Sequence, residues 1–162
     1  VDGIAVLARV ISTGRLHDVS IGSPIGGVDQ ALKVDFIDVV DEEYGMLRRD
    51  YGFVELYFSG GPGKWSMTSG MIELHRLAAD DQGMAAEWRR DTDVEFPECC
   101  SWSELREELS RTPDAPDLDL RPQGGYLEYR APETKVSVLV VDNQEERDDC
   151  PGHGDVWSVS LG

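Results

Sequence analysis

Four residues carry the chemistry that this sequence could most readily support. Cys99, Cys100, Cys150 and His153 offer thiolate and imidazole, the ligands zinc takes, and Cys150-Pro151-Gly152-His153 is a usable half-site. The vicinal pair Cys99-Cys100 is a poor other half, because structural zinc sites space their paired ligands about two residues apart or more. Ordinary partly buried thiols are therefore expected, with no metal and no cofactor. An odd cysteine count, 3 in all, does not make the disulfide framework of a small secreted chain. Reduced thiols and a cytoplasmic location are the corresponding expectations.

The other histidines are His17, beside Asp18, and His75, beside Arg76. Neither neighbours a Ser or Cys in the strand-turn-helix setting of an activated nucleophile, so no catalytic residue is assigned. A small hydrolase using His75 or His17 with a carboxylate is the lesser alternative, and a deep pocket holding His75 beside Asp or Glu would identify it. Gly60-Gly61-Pro62-Gly63-Lys64 is only superficially a phosphate loop: the Lys-Ser/Thr spacing is missing, and it joins two strands without a helix N-terminus. The acidic run from Asp142 to Asp149 has no central glycine and contains Arg147, so it reads as a solvated hairpin tip and not a calcium loop.

Charge bounds the partner. The chain of 162 residues has 32 Asp and Glu against 15 Lys and Arg, a formal net charge of -17. That excess repels nucleic acid and anionic membrane surfaces, and it draws a basic protein in by long-range attraction. The candidate partner-binding residues are Asp35, Asp38, Asp41, Glu42 and Glu43, with Tyr44 and Trp65 as aromatic anchors at a desolvated centre. No apolar run approaches the roughly 18 residues of a membrane helix, and no basic n-region precedes an apolar block, so neither a span nor a signal peptide is expected.

These groups need a scaffold. Val1 to Ile11 is read as a helix. Gly22-Ser23-Pro24 opens a second, short one, with Ser23 as the cap, Pro24 in the first turn, and Ile25, Val28 and Leu32 on one face. Gly26 and Gly27 weaken it. Phe36 to Val40 either continues that helix or is an apolar loop. Tyr51 to Phe58 and Trp65 to Leu74 form a hairpin around Ser59-Gly60-Gly61-Pro62-Gly63. A bridging helix interrupted by Gly83 ends near Asp91. Ser101 and Glu104 then make a capping box for a helix burying Trp102, Leu105 and Leu109. Ser110 to Pro122, with three prolines, is read as a linker. Tyr126 to Tyr129, Val136 to Val141 and Val156 to Leu161 supply three strands.

Gly52-Phe53-Val54-Glu55-Leu56 returns in altered form as Gly125-Tyr126-Leu127-Glu128-Tyr129, which implies an internal repeat. The expected fold is α+β, an antiparallel sheet with helices on one side, built as two related helix-then-strands halves in tandem. One compact domain spans 1–162, with a first half-repeat over 1–77, a bridge over 78–100 and a second half over 101–162.

Ile21-Gly22-Ser23-Pro24, the run Arg48-Arg49-Asp50-Tyr51-Gly52-Phe53-Val54-Glu55-Leu56-Tyr57-Phe58, and the closing Val136–Val141 and Gly154–Val159 segments resemble small acidic bacterial immunity proteins. Those proteins neutralise toxin domains of polymorphic secretion systems. The resemblance implies a non-catalytic binder whose partner is a basic toxin, neutralised by occlusion. It assigns no chemical role to any residue. A regulatory or structural adaptor is the alternative reading.

Overall fold

The computed structural model describes residues 1–80, 82–144 and 149–162. Helix α1 (Gly3–Thr13) starts where Asp2 accepts the Ile4 N–H and stops at Gly14, whose positive φ of 70° ends the helix. Helix α2 (Ile25–Ala31) is only seven residues long, as its two glycines require. Its N-cap is Pro24, not Ser23; the Ser23 hydroxyl instead accepts the Ser20 N–H. Strands β1 (Ile37–Asp41), β2 (Met46–Asp50), β3 (Val54–Ser59) and β4 (Ser66–Ile72) follow. A 3-10 turn (Leu74–Ala79), α3 (Met84–Thr92) and α4 (Trp102–Ser110) lead to β5 (Asp119–Gln123), β6 (Tyr126–Ala131), β7 (Val136–Val141) and β8 (Val156–Leu161).

The described residues form one eight-stranded antiparallel sheet in the order β1-β2-β3-β4-β8-β7-β6-β5. Because side chains alternate along a strand, the register sorts them into two faces. Val54, Leu56, Phe58, Ile72, Val159, Leu161, Val136 and Val138 share one face and are essentially inaccessible. They merge with Leu7, Val10 and Ile11 of α1, Val28 of α2, Trp88 of α3 and Leu105 of α4 into a single core, so the helices cover this face. The opposite face carries Arg48, Glu55, Tyr57, Ser137, Ser160, Glu128 and Arg130. No helix among the described residues is long and apolar enough to cross a membrane.

The α+β class and the antiparallel sheet under helices are as expected, but three strands exceed the expectation. Phe36 to Val40 is neither helix nor loop: Ile37–Asp41 is an edge strand paired to β2 (Met46–Asp50), itself a strand where none was expected. Most of the supposed linker from Ser110 to Pro122 is irregular, but its end is β5, the opposite edge. The pentapeptides that suggested a repeat lie on β3, third from one edge, and β6, second from the other, so they do not occupy equivalent strands. Helix α1 packs chiefly on α4 and also on β7 of the second meander, and Thr134 donates to the Ile11 carbonyl. Of the acidic loop, residues 145–148 lie outside the described residues.

Candidate functional site

The acidic candidates separate once folded. β1 and β2 are joined by a turn of Glu42, Glu43, Tyr44 and Gly45, in which the Tyr44 N–H donates to the Asp41 carboxylate at 3.3 Å. Gly45 takes the left-handed conformation the turn needs, at φ 59°. The result is a projecting tip at which Asp41, Glu42 and Glu43 are exposed and form no ion pair among the described residues. Tyr44, at 73% exposure, stands beside them.

Asp35 and Asp38 are elsewhere. Asp35 precedes β1 at the end remote from the turn, in the field of Arg90. Asp38 is already engaged: Arg49 Nε and Nη2 hold its two oxygens at 2.9 and 3.1 Å, while Nη1 reaches Asp29 on α2 at 2.6 Å. The Arg49 side chain is 4% exposed, and its guanidinium lies 3.8 Å from the Phe36 ring centroid. Burial disfavours its charge, but the hydrogen bonds to Asp38 and Asp29 outweigh that and raise its affinity for the proton. Trp65 is partly buried against the core, and its carbonyl accepts the Ile25 N–H. It therefore braces the hairpin end on α2, at the same end of the sheet as Tyr44.

Residues missed by the sequence reading complete this edge. Ile37, Val39 and Val40 are exposed at 71%, 50% and 47%, with Phe36 and Met46 at 41% each. Their signal was the Phe36-Ile37-Asp38-Val39-Val40 run itself, rich in β-branched residues and long enough for a strand.

A second polar cluster occupies the opposite face, where the 3-10 turn packs over the sheet. Glu55, 4% exposed, accepts a 2.6 Å hydrogen bond from the Tyr57 hydroxyl and lies 3.4 and 3.5 Å from Arg48 and Arg76. Arg76 also holds Glu73 at 2.8 Å, whose carboxyl is pushed up by desolvation. A cleft of about 390 Å3 beside this cluster is lined by Asp50, Gly52, Arg76, Ala79, Gln82 and Met84. Both of its charged groups are engaged at one backbone position, since Asp50 accepts the Gly52 N–H and Arg76 donates to the Gly52 carbonyl. Desolvation and the contact with Glu55 push the Tyr57 phenol up to about 12 from an ordinary 10.0. A raised folded-state value favours the neutral phenol, so its contribution to stability is full below pH 10.0 and lost as pH rises through about 12. Tyr57→Phe should flatten this alkaline decline, measured as urea unfolding between those two pH values.

The histidines sit in unlike places. His75 stacks on Trp157 with ring centroids 4.1 Å apart, and its Nδ1 faces the Trp157 carbonyl at 3.3 Å. His17 lies against Trp88, and burial lowers its pKa.

The cysteines correct the expectation of reduced thiols. Cys99 and Cys150 form a disulfide with Cα atoms 6.0 Å apart, while Cys100 is a free buried thiol, pushed up to about 12 by desolvation. Consecutive residues of an extended segment point to opposite sides, so one of a vicinal pair turns inward and the other outward. The bridge Ser101↔Asp155 and the bond from the Val156 N–H to the Cys100 carbonyl bring residues 99–102 alongside residues 152–156. Cys99, Cys150 and Asp155 lie close enough together to hold an ion, but two oxidised sulfurs are not thiolate ligands.

Fold and edge together define an α+β protein with an antiparallel sheet whose α-helices pack on one face, and an exposed strand along one rim that carries both acidic and apolar residues. Comparison with protein-family models, curated proteins and solved structures gives no significant match in any of the three.

Proposed function

We propose that this chain is a non-catalytic acidic protein-binding module of the immunity type, which neutralises a basic toxin by occlusion. The observation that carries this reading is the β1–β2 tip. Asp41, Glu42 and Glu43 stand there, without an ion pair among the described residues, around an exposed Tyr44. Uncompensated carboxylates beside an exposed ring match a cationic surface: the ring supplies the desolvated contact and the charges supply steering. The toxin surface so covered would be the one that meets an anionic substrate. Asp38 serves this reading indirectly, by tying β1 to Arg49.

The hydrolase alternative asked for a carboxylate within hydrogen-bond reach of His75; its Nδ1 faces the Trp157 carbonyl, and Glu73 lies within its electrostatic range. The Cys99–Cys150 disulfide favours an encounter in an oxidising compartment over the cytoplasm, where such bonds are reduced.

The test is co-purification with the product of the adjacent gene, followed by stopped-flow association at low salt. Asp41→Lys, Glu42→Lys and Glu43→Lys combined should slow association by about tenfold or more and flatten its salt dependence, leaving dissociation nearly unchanged. An absent complex, together with no rescue of toxicity on co-expression, would sink the immunity reading. An unchanged rate would exclude the tip as the steering surface.

A further inference from the structure

We propose that β1 is a docking edge that takes an extended, basic segment of the partner as an added strand. This rests on the acidic-binder reading above and specifies its mode. Among the described residues β1 pairs with β2 only. In an antiparallel ladder alternate residues of an edge strand direct N–H and C=O outward, so β1 offers a row of unused donors and acceptors.

The two edges of the sheet are treated differently. β5 carries Pro122, which has no N–H to donate, between Arg121 and Gln123, with Asp119 at its start. Proline and charge are the usual devices that blunt an edge, but each edge strand carries two charged residues, so the proline is what distinguishes β5. All five residues are exposed in both edge strands, but β1 has no proline. Ile37 and Val39 point to one face and Val40 to the other, each about half exposed or more. The strand is also held in place before anything binds. Arg49 clamps Asp38 from β2 and ties it to Asp29 on α2, and Asp41 closes the turn through the Tyr44 N–H. A rigid edge loses little conformational freedom on pairing.

Charge selects the occupant. Asp35 flanks one end of β1, and Asp41, Glu42 and Glu43 flank the other, all without ion pairs among the described residues. A second copy of the chain is disfavoured: a two-fold pairing centred on Val39 would set Asp35 opposite Glu43 twice, between chains each of net charge -17. An extended segment with alternating Lys or Arg and β-branched residues meets both requirements. Its apolar side chains would cover Ile37 and Val39, its backbone would complete the ladder, and its cations would answer the flanking carboxylates.

The probe is the peptide acetyl-Lys-Val-Lys-Thr-Lys-Val-Lys-Thr-amide, compared with the same peptide N-methylated at alternate residues. N-methylation keeps charge and side chains and removes the donors of one backbone edge. The unmodified peptide is expected to slow amide exchange within residues 37–41 by about tenfold or more and leave 119–123 unchanged. The methylated peptide is expected to bind at least about tenfold more weakly, as the loss of two or more net hydrogen bonds requires. Equal binding of both peptides, protection at 119–123 in place of 37–41, or no binding of either would overturn strand addition. So would self-association of the free protein through β1, read by sedimentation. Any of these could occur while the Lys triple variant still slows association with the toxin, so the two readings fail separately.

Discussion

The double variant Cys99→Ala/Cys150→Ala is expected to lose about 4 kcal/mol of unfolding free energy, the chain-entropy value for a loop closed across 51 residues. The loop encloses α4 and β5 to β7, so without the bond the unfolded chain regains much freedom. The folded side changes less. The Trp102 N–H still donates to the Gly154 carbonyl and the Val156 N–H to the Cys100 carbonyl, which keeps the two segments adjacent. Urea unfolding of the variant, and of the parent after reduction, should give the same lowered midpoint. Cys100→Ala, which leaves the disulfide in place, should cost about 1 kcal/mol. A loss of under about 1 kcal/mol in the double variant would mean that the unfolded chain is already constrained here by other contacts.

Arg49→Ala is expected to cost about 3 kcal/mol, the lower end for breaking a buried ion pair. The lower end applies because Asp38 and Asp29 remain 29% and 51% exposed and can rehydrate once the guanidinium is gone. The lost stack on Phe36 adds to the effect. Its local consequence is the sharper test. With Asp38 released, β1 keeps its ladder to β2 but loses its clamp to α2, so amide exchange over 37–41 should accelerate more than exchange over 136–141. Arg49→Lys should recover only part of the loss, because an ammonium cannot grip one carboxylate through two parallel hydrogen bonds while reaching a second. Uniform acceleration across the sheet would mean that Arg49 supports the core as a whole and is no particular anchor of the edge.

How much of this was legible beforehand differs from element to element. The α4 start was, because a serine cap acts within its own turn: Ser101 accepts the Glu104 N–H at 3.2 Å. The inner strands β3, β4, β7 and β8 were, because burial demands apolar residues in patterns a linear reading detects. The edges were not. An edge strand is half solvated, so its composition drifts toward that of a loop, and Asp119 to Gln123 with its proline reads like one. The two similar pentapeptides fall on non-equivalent strands for a related reason. Two strands of different rank, β3 and β6, can carry similar five-residue patterns when each sets one side chain inward and the next outward.

For the candidate site, the sequence supplied the charge and the tip. Net charge is additive over residues, and Asp41, Glu42, Glu43 and Tyr44 are neighbours in the chain, so no folding is needed to place them together. Folding decided which acids are free. Asp38 differs from Asp41 only because strand pairing sets Arg49 directly across from it. The disulfide was decided the same way, since which of two adjacent cysteines turns outward, and whether a third lies opposite, depends on segments 51 residues apart meeting. Short-range chemistry is written in the order of the chain, whereas the partners of a charge or a thiol are set by contacts that exist only once the sheet has closed.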